Sequence, residues 1–426
     1  MVNKSINNNF TKSNIIDFNS YISKYNKVND FVDKCNPDIP VYCFRPELVK
    51  NSVSFFKDNF NFSNHKSRIL YSVKSNPDDN LLKLINSLGV NDFDVASINE
   101  IKLINKILGK GVNLYFMHPV KSYESISLSY HNYNIRDFSL DTHDELYKIL
   151  QATNYAKDLN LHVRLAIPCS NSAIELSTKF GILPSQAIDL IKDVAKYSSK
   201  TGICFHVGSQ CMDPIEYRKA IMIAGDLIEK NKLKIDIFDI GGGFPAKYTS
   251  MNPPSIKNYF NEIKDSLKYV NINNECEIWC EPGRSLVAES SSLLVRVEAR
   301  KDNILYINDG TYGGLFDAGS LEFSFPVRGL RSKNLQEKLD DNMQDFSFYG
   351  PTCDSIDFMK GPFYLPKNIK TGDYIEIFQL GSYSKSMRSN FNGFNDFKEI
   401  IVEDRPFLSI FEHNQNKLNN EKERSS

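Results

Sequence analysis

The sequence lacks a dominant charge, a long apolar run and an ordered set of cysteines, and each absence removes a class of function. Fifty-one basic residues stand against 52 acidic ones, for a net charge of -1. Neither a nucleic-acid footprint nor a basic membrane-binding surface is therefore expected. No apolar stretch approaches the ~20 residues of a membrane span, and the opening "MVNKSINNNFTKSNIIDF" has no signal-peptide core. Eight cysteines are scattered along the chain, and the closest pair, Cys276 and Cys280, has no second pair to complete a zinc site. The expectation is reduced thiols in a cytoplasmic protein, with no metal constellation. At 426 residues, 41% hydrophobic and 24% charged, the chain suits two domains, or one large domain with an appendage.

What is present is a regular alternation of strand and helix signals after residue 65. Short apolar strands are read at 69–73, 91–95, 113–117, 136–140, 161–166, 202–207, 236–240 and 277–281. Amphipathic segments such as "DDNLLKLINSLG", "SINEIKLINKIL" and "DPIEYRKAIMIAGDLIEK" lie between them, several opened by acidic or hydroxyl N-caps. Eight strands, each followed by a helix, predict an α/β fold of the (β/α)8 barrel type over 45–285. A doubly wound open sheet is the competing reading.

After 285 the texture turns β-rich. "LLVRVEARKD", "NILYINDG", "DYIEIFQLGSYS" and "KEIIVE" are separated by Gly, Asp and Pro turns, predicting a C-terminal β-domain over 286–412. The strand-like "IPVYCF" at 39–44 is expected to join it, and the polar tail 413–426 is expected to be disordered.

Lysine 74 ends the first strand, where an ammonium must be solvated, paired or used. The other strand ends carry Asp94, His118, Arg164 (within strand five), His206, Gly241, Gly242, Gly243 and Glu281. In a barrel these positions converge on one mouth, which selects the barrel over the open sheet. "DIGGGFP" lets backbone N–H groups approach an anion closely, and "CEPGR" adds Arg284 after the last strand. Loops after strands seven and eight are the usual phosphate cradle of a barrel. A reactive lysine, a phosphate site and a carboxylate in one mouth point to pyridoxal phosphate.

These residues resemble the fold-type III pyridoxal-phosphate decarboxylases. This is the alanine-racemase-like barrel group that includes ornithine, lysine, arginine and diaminopimelate decarboxylases. The resemblance spans about 38–412 through "YSVKSN", "FDVAS", "KFG", "FHVGSQ", "DIGGGFP", "EPGR", "NDGTYG", "GPTCDSID" and "GSYSKSMRSNFNGF". It implies that Lys74 is the Schiff-base lysine and that Asp94, Glu100 and Arg164 form a charged group behind the cofactor. It further implies that His206 stacks on the ring and that Glu281 holds its nitrogen. Ser209, the three glycines, Arg284 and Tyr383 would bind the phosphate. Cys353, the proton donor to Cα, and Asp354 would enter the neighbour's site across a homodimer, and Phe391 would line the substrate pocket.

Asp354 favours a substrate with a terminal ammonium, and so L-ornithine to putrescine, with L-lysine to cadaverine as a further substrate, in polyamine biosynthesis. The resemblance implies a second acid for the distal amine, which would be Asp317 or Glu322 in "GGLFDAGSLEF" or would stand at a shifted position. Arginine, carboxynorspermidine and diaminopimelate decarboxylation remain as alternatives, with an inactive regulatory homologue as the reading from another class. His118 is as well explained by a structural hydrogen bond as by substrate contact. His65, His131, His143, His162 and His413 are assigned to helices, turns or outward strand positions, without a role.

Overall fold

The structure, a computed structural model, describes residues 23–411 except 175 and 336. The expected disordered tail 413–426, with His413, lies outside the described residues. Eight parallel strands close into a barrel: Ser67–Ser72, Asp92–Val95, Asn113–Phe116, Asp137–Leu140, Asn160–Leu165, Lys200–Phe205, Ile237–Asp239 and Glu277–Cys280. The last of these pairs in parallel with the first, Ile278 opposite Ser67. Closure settles the choice between barrel and open sheet.

The helices between strands form where the sequence caps them. Asp78 accepts from the N–H groups of Asn80 and Leu81 at 3.0 and 3.1 Å, opening Asp79–Ser87. Ser97 and Thr142 do the same for Ile98–Leu108 and His143–Ala152. Each such cap is worth roughly 1 kcal/mol. The apolar helix faces meet the outer faces of the strands in one continuous core that includes Phe56, Leu82, Phe93, Phe138, Ile203 and Phe260. Full burial of each such side chain contributes roughly 1.5–3 kcal/mol.

The amino-terminal end of the barrel is closed by charge. Arg68 bonds Glu277 at 2.6 Å and Asp92 at 3.2 Å, and Lys200 and the Trp279 indole each reach Glu277 at 3.0 Å. Against its burial, these donors hold the Glu277 carboxyl down to about 2. His162 corrects a reading of the sequence: it points into the barrel, bonded to Asp137 at 3.0 Å and packed on Trp279. Strand phase decides this, because Gly202 of the adjacent strand leaves the space that its ring fills. The open end of the barrel is thus the carboxyl end.

Beyond Cys280 the chain builds a second sheet around Ser291–Lys301. That strand pairs antiparallel with Val41–Phe44, Tyr374–Ile377 and Ile304–Ile307. Lys398–Val402 lies parallel to Val41–Phe44, and Met343–Tyr349 and Phe358–Pro366 extend the far edge. Three strands of this sheet, Val327–Leu330, Met343–Tyr349 and Phe358–Pro366, were not read from the sequence. The sheet has its own core, with Leu293, Ile307, Phe348 and Phe363.

Candidate active site

Lys74 stands in a single turn, Val73–Ser75, just past the first barrel strand. Its side chain keeps 41% of its exposure in the open mouth, and its Nζ donates to Asp94 Oδ2 at 2.9 Å. Partial enclosure alone depresses the ammonium, but the Asp94 and Glu281 carboxylates outweigh it and the net shift is upward. Asp94 is buried and also accepts from Ser72 Oγ at 2.8 Å. Glu100 accepts from the Ala96 N–H at 2.6 Å, and burial raises its carboxyl above the usual range.

Glu281 follows the eighth strand and is buried. Burial, then the Asp239 and Asp94 carboxylates, push it well above the usual range, while Lys74 and Arg164 oppose the shift. Asp239 ends the seventh strand, and its Oδ1 accepts from Gly241 N–H at 2.8 Å. Burial pushes Asp239 up to about 6. Two buried carboxyls side by side leave room for one extra positive charge, such as a protonated ring nitrogen.

His206 follows the sixth strand. Burial, with the Arg164 and Lys74 cations, holds its imidazole well below the usual range, so the ring is neutral. Its Nδ1 accepts from the Gly208 N–H at 3.0 Å, which leaves the proton on Nε2. Arg164 lies over the Phe180 ring at 5.7 Å. His118 meets the same ring edge-on at 5.1 Å, and burial followed by Lys121 and Lys74 lowers its imidazole.

The glycine run is required by space. Gly241 has φ +70°, and a Cβ there would collide with the Phe205 carbonyl oxygen. A Cβ on Gly242 would stand 2.6 Å from the Glu281 carbonyl oxygen and 3.0 Å from His206 Nε2. One on Gly243 would stand 2.5 Å from the Gly208 oxygen. The next wall is Arg284, buried, whose Nη1 donates to Tyr248 OH at 2.7 Å and to Asp317 at 2.9 Å. Its Nε is buried with no partner among the described residues. Tyr383 arrives from the second sheet, its N–H on Ser75 O at 2.8 Å and its ring 4.7 Å from the Arg284 guanidinium. Asn76 to Gly381 (2.8 Å) and Lys385 to Asp78 (3.1 Å) lock the same two loops together. Ser209 lies half-buried in the short strand Ser209–Cys211 beside them.

This set fits pyridoxal phosphate. An orphaned guanidinium N–H, a cradle that any Cβ would fill, an accessible lysine and a buried carboxyl are what a phosphate, an aldehyde and a pyridine nitrogen need.

Cys353 and Asp354 form a second group. Asp354 accepts from Tyr312 OH at 2.6 Å, a bond that lowers its carboxyl, and the Cys353 N–H donates to Asn392 Oδ1 at 3.1 Å. Phe391 packs on Tyr312 at 4.7 Å between ring centres. Their contacts run to one another and not to the Lys74 group. Ile356, Met387, Phe391, Phe394 and Phe397 are all exposed around them. Two buried aspartates hold this loop system, and sequence reading passed over both. Asp357 accepts from Thr311 N–H and Thr352 Oγ1, each at 2.7 Å, and Asp309 accepts from Arg388 at 2.5 Å and Gly314 N–H at 2.6 Å.

The two acids expected for the distal amine are each paired with a cation of this chain. Asp317 is buried and committed to Arg284, and Glu322 is exposed, paired with Lys360 at 3.5 Å. Elsewhere a cleft of about 420 Å³ is lined by Arg45, Glu47 and Asp404, but Arg45 is already paired with Glu376 and Asp404. Among the described residues no helix is long and apolar enough to cross a membrane.

Comparison with known proteins agrees with the fold and the cofactor. Residues 47–288 match the family model described as "Pyridoxal-dependent decarboxylase, pyridoxal binding domain". The chain is 30% identical over 377 residues to lysine/ornithine decarboxylase of Selenomonas ruminantium, covering 85% of this chain and 90% of that one. It is 31% identical over 351 residues to ornithine decarboxylase of Schizosaccharomyces pombe, covering 78% and 77%. The solved structure of lysine/ornithine decarboxylase from Vibrio vulnificus, complexed with cadaverine, is similar at a TM-score of 0.72 and 25% identity, covering 88% of this chain and 98% of that one.

Proposed function

Because the chain belongs to the pyridoxal-dependent decarboxylases, we propose that it converts L-ornithine to putrescine and takes L-lysine to cadaverine as a second substrate. The coarser activity, pyridoxal-phosphate-dependent decarboxylation of a basic amino acid, is the family's. The finer reading is carried by Asp354, a carboxylate held ionised by the Tyr312 hydroxyl and set beside the apolar Phe391. An ω-ammonium at the end of a methylene chain is the complement of that pair.

Bound pyridoxal phosphate supplies the electron sink for the electron pair left at Cα when CO2 departs. The chain's own residues do the rest. Lys74 would hold the cofactor's aldehyde, and Asp94, 2.9 Å from its Nζ, would pair with the lysine ammonium whenever the lysine is free. Glu281, backed by Asp239, would keep a proton on the ring nitrogen, which an arginine in that place would not. The neutral His206 imidazole would lie against the ring and would add no second positive charge there. Ser209, Gly241, Gly242, Gly243, Arg284 and Tyr383 anchor the phosphate.

Cys353 is the proton donor to Cα, and it acts across a homodimer. The exposed apolar rim of Ile356, Met387, Phe394 and Phe397 supports this arrangement, because such a patch needs a partner. A shared site places Cys353 and Asp354 of one subunit over Lys74 of the other. Retention of Lys74, Glu281 and Cys353 together argues against an inactive regulatory homologue.

The test is CO2 release by the purified protein with added pyridoxal phosphate, offering ornithine, lysine, arginine and meso-diaminopimelate side by side. Preference for ornithine, alone or with lysine, is the expected result. Turnover confined to arginine or diaminopimelate overturns the substrate, and no turnover on any of the four overturns the activity.

A further inference from the structure

Arg284 and Asp317 form a buried ion pair between the two parts of the molecule. Arg284 stands in the short helix Arg284–Val287 that follows the eighth barrel strand. Asp317 stands in the short helix Phe316–Ser320, between the Ile304–Ile307 and Val327–Leu330 strands of the second sheet. The Arg284 Nη1 donates to Asp317 Oδ2 at 2.9 Å and to Tyr248 OH at 2.7 Å. Tyr248 comes from the loop after the seventh barrel strand, and its ring meets Phe323 and Phe325 edge-on at 5.2 and 5.1 Å. The backbone ties the same two segments together, with Thr249 N–H donating to Ser324 O at 3.1 Å. A buried carboxylate beside an anion cradle opposes the charge that the cradle is to bind. Its presence there calls for a role that outweighs this cost.

We propose that Asp317 and Tyr248 are positioning residues that turn the Arg284 guanidinium toward the cofactor's phosphate. A guanidinium carries its five donors in one rigid plane, so that fixing one nitrogen orients the others. With Nη1 held by Asp317 and Tyr248, the Nε–H and the neighbouring Nη2–H make up the fork that suits two phosphate oxygens. The Arg284 Nε is buried with no partner among the described residues, so its hydrogen bond is left for the phosphate. The Tyr383 ring, 4.7 Å from the guanidinium, packs against the group so held. In this role Asp317 serves the phosphate and not the distal amine of the substrate. It acts through Arg284, and the second sheet thereby takes part in holding the cofactor. The inference rests on the assignment of Arg284 to the phosphate in the proposed function.

An ion pair that only joined the two parts of the fold would change stability and treat every ligand of the site alike. The experiment therefore titrates the full-length protein, stripped of cofactor, with pyridoxal phosphate and separately with pyridoxal, which lacks the phosphate. Isothermal calorimetry reads both dissociation constants. Asp317→Ala should bind pyridoxal phosphate about tenfold more weakly, and Tyr248→Phe about threefold more weakly. Neither variant should change the affinity for pyridoxal. Asp317→Asn keeps an oxygen for Nη1 and removes a negative charge from the phosphate's side. It should bind pyridoxal phosphate at least as tightly as wild type. Tyr248→Phe keeps its ring in place and carries the test if Asp317→Ala, which strands a buried cation, does not fold.

Wild-type affinity for pyridoxal phosphate in Tyr248→Phe or Asp317→Ala overturns the proposal. So do equal losses for the two ligands, or an Asp317→Asn protein as weak as Asp317→Ala. Wild-type protein that binds pyridoxal phosphate no more tightly than pyridoxal overturns the assignment of Arg284 itself. That outcome strikes the underlying reading of the phosphate site, whereas the others strike this inference alone.

Discussion

Replacing Gly241 and Gly242 one at a time with alanine separates a cost to the fold from a cost to the site. Gly241 sits in the left-handed region at φ +70°, and its new Cβ would drive into the backbone oxygen of Phe205. The conformation costs an L residue roughly 1–2 kcal/mol, and overpacking against backbone adds roughly 1–3 kcal/mol more. Gly241→Ala should therefore lose about 2–5 kcal/mol of stability, visible in urea unfolding of the apoprotein. Gly242 needs no unusual φ, but its Cβ would press on the Glu281 carbonyl and His206 Nε2 at 2.6 and 3.0 Å. The proposed function sets those two residues against the cofactor ring, so Gly242→Ala should bind cofactor at least about tenfold more weakly while losing less stability than Gly241→Ala. Titration of each apoprotein with pyridoxal phosphate, beside its unfolding curve, reads both effects. A Gly241→Ala protein as stable as wild type, or a Gly242→Ala protein of wild-type cofactor affinity, would refute the reasoning.

Three further perturbations address the proton and the substrate. Asp354→Ala should raise KM for ornithine far more than it lowers kcat, and steady-state kinetics with equal losses in both would count against a binding role. Inactive Lys74→Ala subunits mixed with inactive Cys353→Ala subunits should recover part of the activity through hybrid dimers; no recovery argues against a shared site. Asp239, raised to about 6 in the apoprotein, holds a proton that the unfolded chain has released above pH ~4. Its stabilising contribution is full below pH ~4 and is lost as pH rises through 6, by at most about 3 kcal/mol. Asp239→Asn should remove that fall, and parallel pH–stability curves for variant and wild type would exclude it.

Much of this site could be read from the chain because it lies at strand ends. A strand buried on both faces leaves a short apolar run, and a charge closing such a run is conspicuous; Lys74, Asp94 and Glu281 were visible in that way. The glycine run was legible for a related reason, since only glycine admits the backbone approaches seen at Gly241 and Gly243.

What was missed depends on partners distant in sequence. Asp309 is held by Arg388, 79 residues away, and Asp357 holds Thr311, 46 residues away. Nothing local distinguishes them from loop aspartates. Asp317 lay near a motif, but its partner Arg284 is 33 residues upstream. Asp239 was hidden inside an apparent strand, "DIFDI", where its alternation gave no sign that it would back Glu281. His162 was misplaced because inward and outward phases of a barrel strand look alike when both faces are buried.

The central claim is that Lys74 is the residue that holds the cofactor. Sodium borohydride reduction of the holoenzyme fixes the cofactor to whichever lysine carries it, and peptide mapping by mass then identifies that lysine. The account predicts the pyridoxyl label on Lys74 alone, with no label in Lys74→Ala protein that still folds. A label on any other lysine, or ornithine turnover surviving in Lys74→Ala, would contradict it.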